Sequence, residues 1–199
     1  MPQRSVVAVG ASLLVASLAL AGCGSRSDDT EGTDTGSAEN KVAKIGVIAP
    51  LSGDLAALGK GIQNSVDLAI RQANEAKTIP GWTLELAAED DEAKPDVGKN
   101  AATKLAADKD VVGVVGTLNS SVAQSVQPVL ASAKITQVSP ANTGTSLTQG
   151  ADATAPKRTY PTYFRTCTTD AIQGPFAARY LFEKAGIKEV ATVHDKKAY

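Results

Sequence analysis

The pentapeptide Val111-Val112-Gly113-Val114-Val115 is apolar or glycine at every position and stands between two segments of helical periodicity. A strand that can be buried on both faces belongs to a parallel sheet covered above and below. That requirement narrows the chain to α/β architectures, and the flanking sequence repeats the same alternation. Residues 44–49 predict a first strand, stopped by Pro50. Residues 59–76 predict a helix, with Ile62, Val66, Ala69, Ile70 and Ala73 at steps of three and four. Pro80-Gly81 marks a turn before a second strand over 82–88. Pro95 suits the first turn of the next helix, whose buried stripe is Val97, Ala101 and Leu105. Beyond the central strand, either Ser120 or Ser121 can cap a helix striped by Val122, Val126 and Leu130, with Pro128 as a source of a kink. Residues 134–138 predict a fourth strand, and 140–161 a polar, loop-rich stretch. Tyr163-Phe164-Arg165 reads as a short strand or crossover. Residues 170–185 read as a helix with Phe176, Tyr180 and Leu181 turned inward, and 190–193 as the last strand. The expected fold is α/β: a doubly wound, mostly parallel sheet with right-handed crossovers and no internal repeat.

Ahead of this domain the composition changes twice. Residues 6–21 are uncharged and largely apolar, and follow Arg4. A basic start, an apolar middle and small residues at the end describe a secretory signal. The run is shorter than the roughly 18–20 apolar residues that cross a bilayer. Its end, Leu20-Ala21-Gly22-Cys23, resembles a bacterial lipobox. That resemblance implies a lipidated Cys23 as the first mature residue and an extracytoplasmic location, lipid-anchored to the bacterial cell membrane. One acyl chain holds weakly and two hold firmly, at about 0.8 kcal/mol per buried CH₂. Residues 24–40 are Gly, Ser, Asp, Thr and Glu with almost nothing apolar, a composition that cannot offset its ordering entropy. They are expected to form a flexible acidic spacer. The organisation is then a lipoprotein signal over 1–22, and lipidated cysteine and linker over 23–41.

Several function classes are disfavoured. The formal net charge is −1, with lysines and arginines scattered and no zinc spacing, so nucleic acid is not an expected partner. There are two cysteines; with Cys23 lipidated, Cys167 stands alone, so no disulfide framework is expected and Cys167 reads as a small buried residue. Gly59-Lys60-Gly61 lacks the third glycine of a dinucleotide fingerprint. His194 lies beside Asp195, but no nucleophile is placed for them. The acidic residues 89–92 lack the alternating ligands and glycine of an EF-hand loop. Arg165 is expected to pair with a carboxylate, near a hinge or on the surface. No cofactor, no metal and no catalytic residue is expected, and the chain does not read as an enzyme.

Ligands of open parallel sheets bind beyond the carboxyl ends of the strands. Three such ends carry compact polar turns: residues 50–54, 116–121 and 139–143, which should lie side by side. They offer hydroxyls and backbone groups rather than charged catalytic groups. A helix starting near Ser120 presents unpaired N–H groups and the positive end of its dipole, a seat for a small carboxylate. The Ser120 hydroxyl adds a donor; Thr143 and the carbonyl of Ala141 suit an ammonium group. Together they point to an amino acid. The same residues would also serve as plain helix caps and turn formers.

These segments resemble the solute-binding proteins of branched-chain amino acid ABC transporters, the leucine/isoleucine/valine-binding proteins among type I periplasmic binding proteins. The likeness runs over 44–199 and rests on ordered motifs: Pro50-Leu51-Ser52-Gly53, residues 116–121, Ser139-Pro140-Ala141-Asn142-Thr143, Phe164-Arg165-Thr166, Gln173-Gly174-Pro175, and 194–199 ending in Tyr199. It implies ligand contacts from Leu118, Asn119, Ser120, Ala141, Asn142 and Thr143 of a first lobe and from Tyr199 of a second. It also implies capture of an amino acid, delivery to ABC permease subunits in the membrane, and action as a monomer. Asn119 stands where some relatives have a disulfide cysteine, and Leu58 where an aromatic often covers the ligand. The family has two lobes, so residues 42–166 are expected to form an incomplete first lobe, and 167–199 the hinge crossover and the start of a truncated second. An apparent fragment of this kind is expected to bind amino acids poorly alone, with the helix from Asp170 and the strand from Val190 lacking sheet neighbours. A ligand-sensing receptor of the same fold is the alternative function, with an α/β enzyme behind it.

Overall fold

In the computed structural model, residues 41–197 are described. Five strands form one sheet: β1 (Lys41–Ala49), β2 (Trp82–Asp90), β3 (Val111–Gly116), β4 (Thr136–Ser139) and β5 (Tyr163–Arg165). Their order is β2-β1-β3-β4-β5, and every pairing is parallel. The doubly wound α/β expectation therefore describes the chain. Parallel neighbours need crossovers, supplied by α1 (Ala56–Glu75), α2 (Pro95–Ala107) and α3 (Ser120–Ser132). Pro95 opens α2, and Pro128 is accommodated inside α3.

The core lies on one face of the sheet. Ile48 and Val114 meet Ala101, Ala102 and Leu105 of α2, and Val122, Val126 and Leu130 of α3. The two helices touch closely: a Cβ on Gly98 would run into the Val122 side chain. Only glycine admits that approach.

The opposite face differs from expectation. Of the α1 stripe, Ile70 is buried, Ile62, Val66 and Ala73 are half-buried, and Ala69 is exposed. An open hollow of about 400 Å³ runs between Val66, Ala69, Ala73, Ile45, Leu84 and Val115. The central strand is likewise not covered throughout. Lys44 pairs with Val111 and Ile45 with Gly113, so Val112 is the extra residue of a β-bulge, and it is 56% exposed.

Three further expectations are corrected. A short helix, α4 (Ser146–Gln149), lies within the stretch read as loop; it seats the buried Leu147 against Ala123 and Tyr163. Helix α5 (Asp170–Arg179) continues as a π-helical turn, Tyr180–Lys184, with no buried residue in either. Phe176 and Tyr180 are exposed, and only Leu181 is half-buried, because no described element packs against them. Residues 190–193 form no strand, since no neighbour offers a ladder there, and Val190 and Val193 are exposed.

Candidate functional site

The turns after β1, β3 and β4 fall together because those strands are adjacent in the sheet. They are held by Asp90 and Gln137, to which sequence inspection gave no site role, and by Asn142 and Arg165, which it expected in other roles. Asp90, at the end of β2, accepts from the backbone N–H groups of Leu51 and Glu92, both at 2.8 Å, and so ties the first turn to the second strand. Burial pushes the Asp90 carboxyl up. Hydrogen bonds from Ser52, Glu92 and Leu51 outweigh it and hold the group below the usual carboxylate range. Helix α1 starts against this turn: a Cβ on Gly59 would strike the Pro50 carbonyl oxygen, so glycine lets the helix reach it.

The turn after β3 is joined to the turn after β4 by a network of neutral polar groups. Gln137 Nε2 donates to the Gly116 carbonyl at 3.0 Å. Ser139 Oγ donates to the Thr117 carbonyl at 2.9 Å, and accepts from the N–H groups of Ala141 and Asn142. Asn142 has no exposed surface. Its Nδ2 donates to the Leu118 carbonyl at 3.0 Å, and its Oδ1 accepts from the Tyr163 hydroxyl at 3.1 Å. Asn142, expected as a ligand contact, thus acts as a bracket between the turns. Tyr163 sits under this bracket, and burial raises its hydroxyl to about 12 despite the nearby Arg165 charge.

Arg165 is the other organiser. It was expected to meet a carboxylate; instead Nη1 donates to the carbonyls of Asn142 and Gly144, and Nη2 to Thr148 Oγ1. Guanidinium geometry allows such multiple donation to one loop. Cys167 is free and half-buried, its thiol on the Asn142 carbonyl at 3.2 Å, and the Thr143 carbonyl accepts from the N–H of Asp170.

Within this frame the candidate ligand groups converge. Asn119, rather than Ser120 or Ser121, is the N-cap of α3, and its side chain makes no capping bond. Its Oδ1 is buried without a partner. The first N–H groups of the helix remain available, as at any helix start. Ser120 is buried in the first turn, and its Oγ accepts from the Gly144 N–H at 3.1 Å. That bond leaves the hydroxyl hydrogen to donate, and it fastens the turn carrying Thr143 to the start of α3. Leu118, Asn119, Ala141 and Thr143 are half-buried around this point, and Leu58 is exposed on the first turn of α1. Cys23 and Tyr199 lie outside the described residues. His194 is exposed and accepts from the Lys196 N–H, and Glu89 of the acidic run pairs with Lys104 at 2.7 Å. Among the described residues no group of His, Cys, Asp and Glu is gathered as metal ligands.

One buried carboxylate stands apart. Asp91 has no exposed surface; Oδ1 accepts from the Ala93 N–H, and Oδ2 has no partner. Burial, with Asp90 adding repulsion against the Ala93 bond, raises its carboxyl to about 6.

Comparison with known proteins gives a consistent set of likenesses. A family model described as periplasmic binding protein matches residues 42–199. The "Leu/Ile/Val-binding protein homolog 3" of Brucella melitensis is 36% identical over 155 residues, covering 78% of this chain and 40% of that protein. The chain therefore spans well under half the length of that relative. Among solved structures, the branched-chain amino acid transporter substrate-binding protein LivJ of Streptococcus pneumoniae, in complex with isoleucine, superposes with a TM-score of 0.65. Its sequence identity is 27%, with 73% of this chain and 39% of that one covered. A solute-binding protein of an ABC transporter from Rhodopseudomonas palustris, in complex with 3,4-dihydroxybenzoic acid, superposes with a TM-score of 0.57. Its sequence identity is 28%, over 69% of this chain and 36% of that one. The matched proteins are described as binding proteins rather than enzymes.

Proposed function

Because the chain belongs to the periplasmic binding protein family, we propose that it forms a ligand-holding lobe of an extracytoplasmic solute-binding protein. That protein captures branched-chain or related amino acids and hands them to an ABC permease. The supporting observation is the joint between Ser120 Oγ and Gly144 N–H. It sets a helix start, with its free N–H groups and a buried hydroxyl, beside Thr143 and the Ala141 carbonyl. Donors suit the ligand carboxylate; the carbonyl and hydroxyl oxygens suit its ammonium. Leu118 and Asn119 line the pocket, and Asn142 holds its walls. In this reading Tyr199 contributes from a second lobe that closes over the ligand. Cys23 carries the lipid anchor, and the protein works as a monomer.

The test is calorimetric titration of the two-lobed protein with leucine, isoleucine and valine. Losing one hydrogen bond to a charged ligand group costs about 1.5–3 kcal/mol, so Ser120→Ala and Thr143→Ala should each weaken binding by about tenfold or more. Unchanged affinity in both variants would sink the assignment. The Rhodopseudomonas likeness supports a second ligand class, aromatic carboxylates, which need the donors of α3 but no ammonium acceptor. Titration with 3,4-dihydroxybenzoate separates the two: Thr143→Ala should weaken the amino acid and leave the benzoate unaffected.

A further inference from the structure

Three successive carbonyls of the turn after β4 are held by donors on β5 or just beyond it. Arg165 Nη1 donates to those of Asn142 and Gly144, at 2.8 and 2.9 Å, and the Asp170 N–H donates to that of Thr143 at 3.0 Å. The Ala141 carbonyl is not among them. The sheet register sets Arg165 level with Ser139, where the turn begins.

The peptide units of this turn are trans. In a trans unit the carbonyl and the following N–H point in opposite directions. Holding the Thr143 carbonyl on Asp170 therefore turns the Gly144 N–H the other way, where it meets Ser120 Oγ at 3.1 Å. By the same rule, holding the Asn142 carbonyl on Arg165 turns the Thr143 N–H away from Arg165. A flip of the unit between Asn142 and Thr143 would put a carbonyl oxygen, which repels a carboxylate, where that donor stands.

The residue type matters as well as the place. A guanidinium is a planar fork that can join several acceptors at once, and a lysine ammonium is a point charge on a flexible stem. Arg165 Nη2 reaches Thr148 Oγ1 at 2.8 Å, and its Cζ lies 5.6 Å from the centre of the Tyr163 ring. None of the ion pairs among the described residues includes Arg165, so neutral oxygens alone meet its charge.

We propose that Arg165 is a positioning residue of the ligand site. Its bonds to the Asn142 and Gly144 carbonyls fix the peptide orientation in which the Thr143 turn meets a solute, and it acts through the turn rather than on the solute. The inference rests on the reading of these turns as an amino-acid site.

Hydrogen exchange and calorimetry of the two-lobed protein test it. Exchange over peptides covering 140–149 should be faster in Arg165→Ala and Arg165→Lys than in the parent. Leucine affinity should fall about tenfold or more in both variants. Arg165→Lys, which keeps the charge, carries the test if Arg165→Ala does not fold. About 20 mM guanidinium, far below the molar range that unfolds proteins, should restore much of the affinity of Arg165→Ala. Methylammonium should not, because it brings charge without the fork. A role in folding alone predicts parent-like affinity in the folded fraction and no rescue. Unchanged exchange over 140–149, faster exchange with leucine affinity kept, or equal rescue by methylammonium each overturn the proposal. A parent that binds no leucine, isoleucine or valine overturns the reading of the site, and the ligand role of Arg165 falls with it. Unchanged exchange and affinity in the variants of a parent that does bind remove Arg165 alone.

Discussion

The two faces of the sheet are built from the same strands and buried to different depths. On one face α2 and α3 pack side by side, and Ile48, Val114, Leu105, Val126 and Leu130 are almost wholly enclosed. On the other, α1 is the only long helix among the described residues, and a hollow opens between Val66, Ala73 and Val115. A helix with its side chains is about 10 Å across, and strands lie about 4.8 Å apart. One helix therefore shields about two strands, whereas a pair shields four. α1 lies over β1 and β2 and leaves β3 to β5 less covered. The lesson is that an apolar strand face states a need for cover, and the helix count on that side decides whether the need is met.

The largest expected difference between the faces comes from truncation on the closed one. Leu130 is fully buried between α3 and the sheet. Leu130→Ala removes buried methyl groups and leaves a cavity that packed neighbours cannot fill, at a cost of about 2–5 kcal/mol. Urea denaturation followed by circular dichroism measures it. A loss under 1 kcal/mol would mean that the closed face is not the packed one.

Asp91 sharpens the comparison by placing a charge on the closed side. Its Cβ lies against Gly98, where α2 meets Val122. A carboxyl whose folded value is raised from 3.8 to about 6 favours its protonated form in the folded state. Its contribution is therefore fully present below about pH 4, declines as pH rises towards 6, and is absent above. Two pH units correspond to at most about 3 kcal/mol. Asp91→Asn should be more stable than the parent by up to that amount at pH 7.5 and nearly equal to it at pH 3.5. A difference that does not change with pH would refute the buried-charge account.

Gly98 tests the contact between the two helices directly. Gly98→Val adds bulk where even a Cβ meets the Val122 side chain. Overpacking of this kind costs about 1–3 kcal/mol. Gly61→Ala is the control, since a Cβ there meets nothing and glycine inside a helix is disfavoured by about 1 kcal/mol relative to alanine. Thermal melts should move in opposite directions for the two variants.

Periodicity made the sheet legible. The five strands and three long helices lie close to where apolar spacing, Pro50, Pro80-Gly81 and Pro95 put them. The meeting of the three polar turns was legible, because turns at the ends of adjacent parallel strands must meet. Spacing could not reveal what the polar side chains do once folded. Asn142 and Arg165 look like ligand or ion-pair residues, yet they bond to neighbouring loops. Ser120 was read as a possible cap, but Asn119 holds that place, one residue earlier, and the Ser120 hydroxyl accepts from the Gly144 N–H instead. The signal that was present and overlooked is polar residues inside apolar strands: Gln137 and Ser139 in β4 bond across to the turn after β3. Phe176 and Tyr180 show the remaining limit. Their spacing marks an apolar face on α5, but spacing carries no information about a partner, and here that face is exposed.

The smallest effect belongs to the open face and tests the comparison most strictly. Val66 is half-buried and borders the hollow beside Ala69, Ala73 and Val115. Full burial of a valine side chain stabilises by about 1.5–3 kcal/mol, and half of that contact is already absent. Truncation there widens an existing hollow rather than creating a cavity, so the additional cavity cost of a packed core does not arise. Val66→Ala should therefore cost about 1 kcal/mol or less, clearly below Leu130→Ala measured under the same conditions. Equal losses for the two variants would show that the α1 face is as tightly enclosed as the other. The one-helix, two-strand argument for its exposure would then fail.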